Sequence, residues 1–296
     1  MSCTLHLAMP PNILRRVRED VARLWPDTRL GMPSTHEEMN AFASRFGDGP
    51  LPSLTVTAYP QIALRLPDLA RQGRLARPDP DLPPLREEYG RIGLAAPAEE
   101  ARIVAVAAGV LAAETSLAPR LKDWADLCAP DFPGPVGCPP RDTPLPYLAE
   151  AVLRKAAGEG AEHLLSRLDT ASNPLDINKR LGRGELKAAL IIPAFARTFR
   201  EGGAGMIWPA SGALALPLLA CLDAQAPPEA HEILAYLLSE EFQRAVVVEG
   251  VIAPVRAGVA GFAELEENGW NLFWPGWDLL FDVARTMLEA VRAGKA

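Results

Sequence analysis

Ile103-Val104-Ala105-Val106-Ala107-Ala108-Gly109-Val110-Leu111 decides how this chain is built. The run holds no charge and no polar side chain. A strand with one wet face alternates apolar and polar residues. An unbroken apolar run of this length reads as a strand covered on both faces, the condition of a parallel sheet with helices above and below it. Leu186 to Ile192 repeats the pattern and is stopped by Pro193. Outward from these two runs, short β-rich segments alternate with helical periodicity, the signature of an α/β protein.

Toward the N-terminus, residues 3–8 read as a first strand. Ile13, Leu14, Val17, Val21 and Leu24 then fall on one helical face, with Pro10-Pro11-Asn12 at its start. Arg29 to Met32 is a short second strand. Ser34 or Thr35 caps a helix carrying Met39, Phe42 and Phe46, with Glu37 and Glu38 in its first turn. Leu54 to Ala58 is a third strand, ended by Tyr59-Pro60, and a helix occupies parts of 61–73. Residues 77–97 are Pro-rich and irregular. Toward the C-terminus, Leu121 to Cys128 reads as helix, Val136-Gly137-Cys138 as strand, and Thr143 to Arg167 as a helical zone broken near Gly158 and Gly160. Asp176 to Gly182 is helical. Met206-Ile207-Trp208 opens a strand that resumes at Ala213 to Leu219. Pro228 to Val248 reads as one strong helix, and 277–293 as a last amphipathic one.

The 296 residues are 49% hydrophobic and 23% charged, which describes a globular chain and excludes a disordered one. The length suggests two domains or one large one. A net charge of −7 without any basic stripe excludes nucleic acid as a partner. No window approaches the ~18 consecutive apolar residues of a spanning helix, so membrane insertion is not expected. Met1 to Leu7 shows no basic start, apolar stretch or cleavage site. The sequence as it stands therefore reads as cytoplasmic, or as periplasmic where a leader has been removed. Cys3, Cys128, Cys138 and Cys221 form no C-x-x-C. Cys128 and Cys138 flank a Pro-rich turn that a bridge could span, but four reduced thiols is the simpler reading. No G-x-S-x-G, H-E-x-x-H or P-loop occurs, so no catalytic residue and no cofactor are assigned.

Four stretches carry a resemblance to a known family. They are Leu121 to Leu127 with Pro130 to Val136, Trp208 to Pro217, Pro228 to His231 with Tyr236 to Gln243, and Gly250 to Arg256. In order and spacing they resemble the type 2 periplasmic solute-binding proteins of ABC transporters, in the branch that includes iron, thiamine and polyamine binders. The resemblance implies a two-lobed α/β fold, each lobe a mostly parallel sheet flanked by helices, joined by two crossover strands near Ile103–Ala108 and Gly205–Trp208. Lobe one would comprise 1–104 plus 206–296, and lobe two 105–205, closing on a small polar or anionic solute. An ABC permease is the partner such a protein implies. The iron binders of this branch carry adjacent tyrosines after the last strand of lobe two. Here that place reads Ile192-Pro193-Ala194-Phe195-Ala196-Arg197, so phenolate-held ferric iron is not expected.

Ligands of open α/β sheets bind beyond the carboxyl ends of strands, often at helix N-termini. That rule selects Asn12 after the first strand, Ser34 and Thr35 after the second, and Tyr59 after the third. It adds Arg141, Asp142, Thr143, Phe195, Arg197, Trp208 and Ser211 from the second half. Arg141 with exposed amides suits a carboxylate or oxyanion. Asp142 or Thr143 could equally be a plain helix cap, Tyr59 a strand-end core aromatic, and Trp208 a core residue near a hinge. The histidines show no metal-ligand spacing; Cys3, His6, Met9 and Cys138 could gather only through the fold, and no metal is assigned. A cytoplasmic sensor and an enzyme built on the same fold remain the alternatives to a solute-binding protein.

Overall fold

The chain alternates strand and helix from its first described residue. β1 (Thr4–Leu7) leads into α1 (Pro11–Leu24), β2 (Arg29–Gly31) into α2 (His36–Arg45), and β3 (Leu54–Thr57) into α3 (Pro60–Arg71). β1 lies between β2 and β3, parallel to both, with Leu5 opposite Leu30 and Leu54. Thr35 caps α2 by accepting the Glu38 amide at 3.1 Å. Proline stands in the first turn of α1 and of α3, where a missing N–H costs nothing. β4 (Leu75–Ala76) and α4 (Glu87–Arg91) flank the Pro-rich stretch, and β5 (Ala101–Glu114) follows as a fourteen-residue strand, longer at both ends than its apolar centre suggests.

In the second half, β6 (Val136–Gly137), α5 (Pro144–Ala157), α6 (Gly160–Leu165), β7 (Leu168–Asp169), α7 (Pro174–Gly182), β8 (Ala188–Ile191), α8 (Pro193–Ala196) and β9 (Ala204–Ile207) follow in turn. β10 (Ala213–Asp223), α9 (Pro228–Leu237), α10 (Glu240–Val248), α11 (Ala263–Glu267), β11 (Leu272–Phe273) and α12 (Trp277–Arg292) complete the order. The computed structural model describes residues 3–33, 35–170, 173–198 and 203–293.

These elements fall into two compact units. The first is Met1–Ala107, Leu216–Phe262 and Gly276–Ala296; the second is Ala108–Ala215 and Ala263–Pro275. The chain changes unit inside β5, inside β10, and again around α11 and β11. Gly205–Trp208 lies within the second unit, where β9 pairs antiparallel with β5. In the first unit the strand order is β2-β1-β3-β10, with β10 antiparallel to β3 and also carrying β4. In the second unit β5 pairs antiparallel with β8, and β6 and β7 extend the sheet in parallel.

Two segments differ from the sequence reading. Pro228 to Val248 is two helices, because Ser239 accepts the Phe242 amide at 3.2 Å and starts a new N-terminus with Glu240 and Glu241 behind it. Leu121 to Cys128 is not α-helical but carries a 3₁₀ turn, Trp124–Cys128, drawn tight by a reciprocal cap between Asp123 and Asp126. As expected, a strand ends after Met206-Ile207 (β9) and strand resumes at Ala213, running on to Asp223 as β10. Gly212, at φ +108°, turns the chain between the two; a Cβ on it would stand 2.8 Å from the Leu272 backbone.

One buried polar side chain links three segments of the first unit. Gln243 on α10 is fully buried; its Nε2 donates to the Val104 carbonyl at 2.8 Å and the Leu237 carbonyl at 2.7 Å, and its Oε1 accepts the Val255 amide at 2.7 Å. One amide group thus ties β5, the end of α9 and the segment after α10. Nearby, Tyr89 is buried and donates to the Pro254 carbonyl at 3.1 Å.

Candidate functional site

In the first unit, parallel register brings the carboxyl ends of β1, β2 and β3 side by side. Tyr59 leaves β3 there and is 8% exposed. Its hydroxyl lies 2.8 Å from Nδ1 of His36, at the start of α2, and its amide donates to Thr57 Oγ1 at 3.0 Å. His36 is exposed and escaped the sequence reading, because nothing in the spacing joins it to Tyr59. Thr35 is occupied as a helix cap. Asn12 is exposed but turns its amide to the Glu249 carbonyl, so it ties α1 to the end of α10. Ser34 lies outside the described residues.

His6 and Met9 stand on the same strand system. His6 is buried, stacks on Phe42 at a centroid distance of 3.5 Å, and burial pushes its pKa down to about 4, so it is neutral near pH 7. Cys3 is buried in the same unit, whereas Cys138 belongs to the second. Burial raises the pKa of all four thiols. Among the described residues, no three His, Cys, Asp or Glu side chains gather to hold a metal ion.

In the second unit, β6 delivers Cys138-Pro139-Pro140-Arg141-Asp142-Thr143 to the start of α5. Thr143 is nearly buried, and its hydroxyl donates to the Pro140 carbonyl at 2.7 Å, so it braces the turn and does not cap α5. Pro144 and Pro146 remove two N–H groups from the first turn of α5. Asp142 is half-buried beside them. The strongest local charge is then the Arg141 guanidinium, whose side chain is 45% exposed. It sits 5.5 Å over the Tyr147 ring, and both of its terminal nitrogens reach a single oxygen of Glu150 at 3.4 Å. Tyr147 and Glu150 lie one turn apart on α5, on the face that leans toward Arg141.

The other candidates of this unit are engaged in the scaffold. Arg197 makes a two-pronged ion pair with Glu264, whose carboxyl its hydrogen bonds hold below the ordinary carboxylate range. The half-buried Phe195 accepts the Asn178 amide at 2.7 Å on its carbonyl. Trp208 donates to the Asn271 carbonyl at 2.7 Å. Ser211 bonds to Asp123, and Trp124 donates to the Gly212 carbonyl at 3.0 Å. The segments 121–127 and 208–217 therefore meet in one hydrogen-bonded knot. Of the two arginines selected from sequence, Arg141 keeps a loosely held charge and Arg197 does not.

No helix among the described residues is long and apolar enough to cross a membrane. Two α/β units that share β5 and β10 define the class of two-lobed periplasmic binding proteins. The chain belongs to the family described as bacterial extracellular solute-binding protein, whose model matches residues 66–281. No curated protein matches it. Among solved structures it is similar to iron-bound HitA from Pseudomonas aeruginosa (19% identity, 97% of this chain and 98% of that one, TM-score 0.74). It is similar also to apo ferric ion-binding protein A of Pasteurella haemolytica (13%, 99% and 97%, TM-score 0.74). A third is AfuA from Actinobacillus pleuropneumoniae with fructose-6-phosphate bound (12%, 98% and 97%, TM-score 0.67). At these identities the likeness is one of fold.

Proposed function

We propose that the chain captures a small solute bearing a carboxylate or oxyanion, outside the cytoplasm, and presents it to an ABC permease. Family membership supports the transport role and the location. The carrying observation for the solute is Arg141: exposed, loosely held by Glu150, and seated where β6 feeds α5. An incoming anion competes with only one carboxylate oxygen at 3.4 Å for the guanidinium. Asp142 and Thr143 shape the turn that carries it. Tyr59 with His36 is the corresponding polar pair at the strand ends of the first unit, and Asn12, Thr35, Phe195, Arg197, Trp208 and Ser211 act through the scaffold.

Ferric iron fits these residues poorly. The tyrosines are Tyr59, Tyr89, Tyr147 and Tyr236, none adjacent in sequence. Burial raises the pKa of Tyr89 and Tyr236, which disfavours the phenolate that iron needs. The test is native mass spectrometry of the purified protein to identify a retained solute, then calorimetry with that solute. Arg141→Ala should weaken binding by about 10- to 150-fold, the equivalent of ~1.5–3 kcal/mol for a charged hydrogen bond. Unchanged affinity would remove Arg141 from the site. A stoichiometric iron content with a visible charge-transfer band would overturn the solute class. Fractionation of cells making the full gene product tests the location; retention in the cytoplasm would favour a sensor.

A further inference from the structure

A cavity of about 350 Å³ opens in the first unit at the start of β5, and none of the candidate ligand residues lines it. Its volume lies near the lower end of the range for small-molecule sites, about 300–1,000 Å³. Its apolar lining includes Leu82 and Leu85 of the Pro-rich strap together with Leu238 and Val255. Arg102 and Arg256 are its charged lining.

The strap is built in place. Ahead of it β4 pairs with β10, Ala76 opposite Leu222. Behind it Leu85 bridges Arg256, and the Arg86 amide donates to the Val255 carbonyl at 3.1 Å. Pro80, Pro83 and Pro84 stiffen the arch between these anchors. A ligand entering therefore has little chain to order.

The charges are arranged unevenly. Arg77 takes Glu99 at 3.1 Å and Glu100 at 3.7 Å, and Arg86 takes Glu88 at 2.9 Å. Those pairs engage Glu99, Glu100 and Glu88. Among the described residues Arg102 makes two long contacts, at 3.4 Å, to the Glu99 and Ala101 carbonyls, and Arg256 donates to the Leu238 carbonyl at 3.1 Å. Neither meets a carboxylate within ion-pair distance among the described residues. Both are half-buried, so their charges are partly stripped of water while most of their N–H groups remain uncommitted.

We propose that this cavity is a second small-molecule site, selective for a carboxylate with a short aliphatic tail. The tail covers the strap leucines and Val255, and the carboxylate takes the two guanidinium groups. A phosphate without a tail would leave the apolar walls wet, and a neutral alcohol would leave both arginines unanswered.

The experiment is calorimetric titration of the whole chain with hexanoate, hexanol and hexylamine. Hexanoate should bind saturably at one site, with hexanol at least about tenfold weaker and hexylamine silent. Arg102→Gln and Arg256→Gln should each weaken hexanoate about tenfold or more while leaving the melting temperature unchanged, and Leu82→Asp should abolish binding. Arg141→Ala should leave hexanoate binding intact, which separates this site from the solute site. No saturable binding of hexanoate by the wild type, equal binding of hexanol, or full affinity in the double arginine variant would each overturn the proposal.

Discussion

Replacing Gln243 by Met keeps the length and nearly the volume of a fully buried side chain, so no cavity opens. What disappears is three hydrogen bonds of 2.7–2.8 Å. The Val255 amide loses an acceptor that no water can replace, at about 2 kcal/mol; the Val104 and Leu237 carbonyls each lose one donor, at about 1 kcal/mol. The expected cost is about 4 kcal/mol, a large share of the ~5–15 kcal/mol that stabilises a typical fold. Urea unfolding followed by far-UV circular dichroism measures it. If the two units unfold in separate steps, only the step of the first unit should move. Hydrogen exchange should accelerate at the Val255 amide. Gln243→Glu adds a diagnostic. Its carboxylate faces two carbonyls, so its folded pKa rises, and the variant should gain stability as pH falls through that pKa toward the ordinary value and lose it at neutral pH. A shift below about 1 kcal/mol for Gln243→Met, with Val255 still protected, would refute the reasoning.

Burial alone would raise the pKa of Asp20, but hydrogen bonds from Tyr236, Arg23 and Arg16 outweigh it and leave about 2. Its contribution of about 2 kcal/mol is therefore present above the ordinary value near 3.8 and lost as pH falls toward 2; Asp20→Asn should flatten the acid limb of a stability–pH curve. Gly250→Ala should cost about 2 kcal/mol or more, because its Cβ would meet the Val246 carbonyl and stand 2.8 Å from Ile13 Cγ1; a neutral melt would sink that expectation. A double-mutant cycle on Ser211 and Asp123 should return a coupling near 1 kcal/mol, and additive effects would mean that their bond holds nothing.

The sequence carried the scaffold further than the site. The apolar runs at 103–111 and 186–192 are strands because only a doubly covered sheet needs them; the first lies within β5, and the second contains the shorter β8. The family-like motifs also became legible as architecture: Gln243 is a staple, Trp124 and Ser211 close the knot, and Gly250 marks a close approach. The break at Ser239 was readable in principle, as a cap followed by two glutamates, but continuous apolar periodicity masked it. The two-residue strands β4, β7 and β11 had no signal of their own, since tertiary pairing and not local pattern makes them strands. Site residues were least legible. A strand-end rule selects positions, yet it cannot tell that Glu264 neutralises Arg197 while Glu150 barely holds Arg141; those distances depend on residues 67 and 9 positions away.

The interleaving of the two units sets the order in which this protein can be completed on the ribosome. The sheet of the first unit needs β10, and that unit also needs α12 from residues 277–292. At about 5–20 residues per second, several seconds at least separate the emergence of β3 from that of its partner β10. Until then β3, with Leu54 and Val56 destined for full burial, has a bare edge. The nascent chain therefore carries that edge until β10 is made, and the first unit is complete only once α12 has followed.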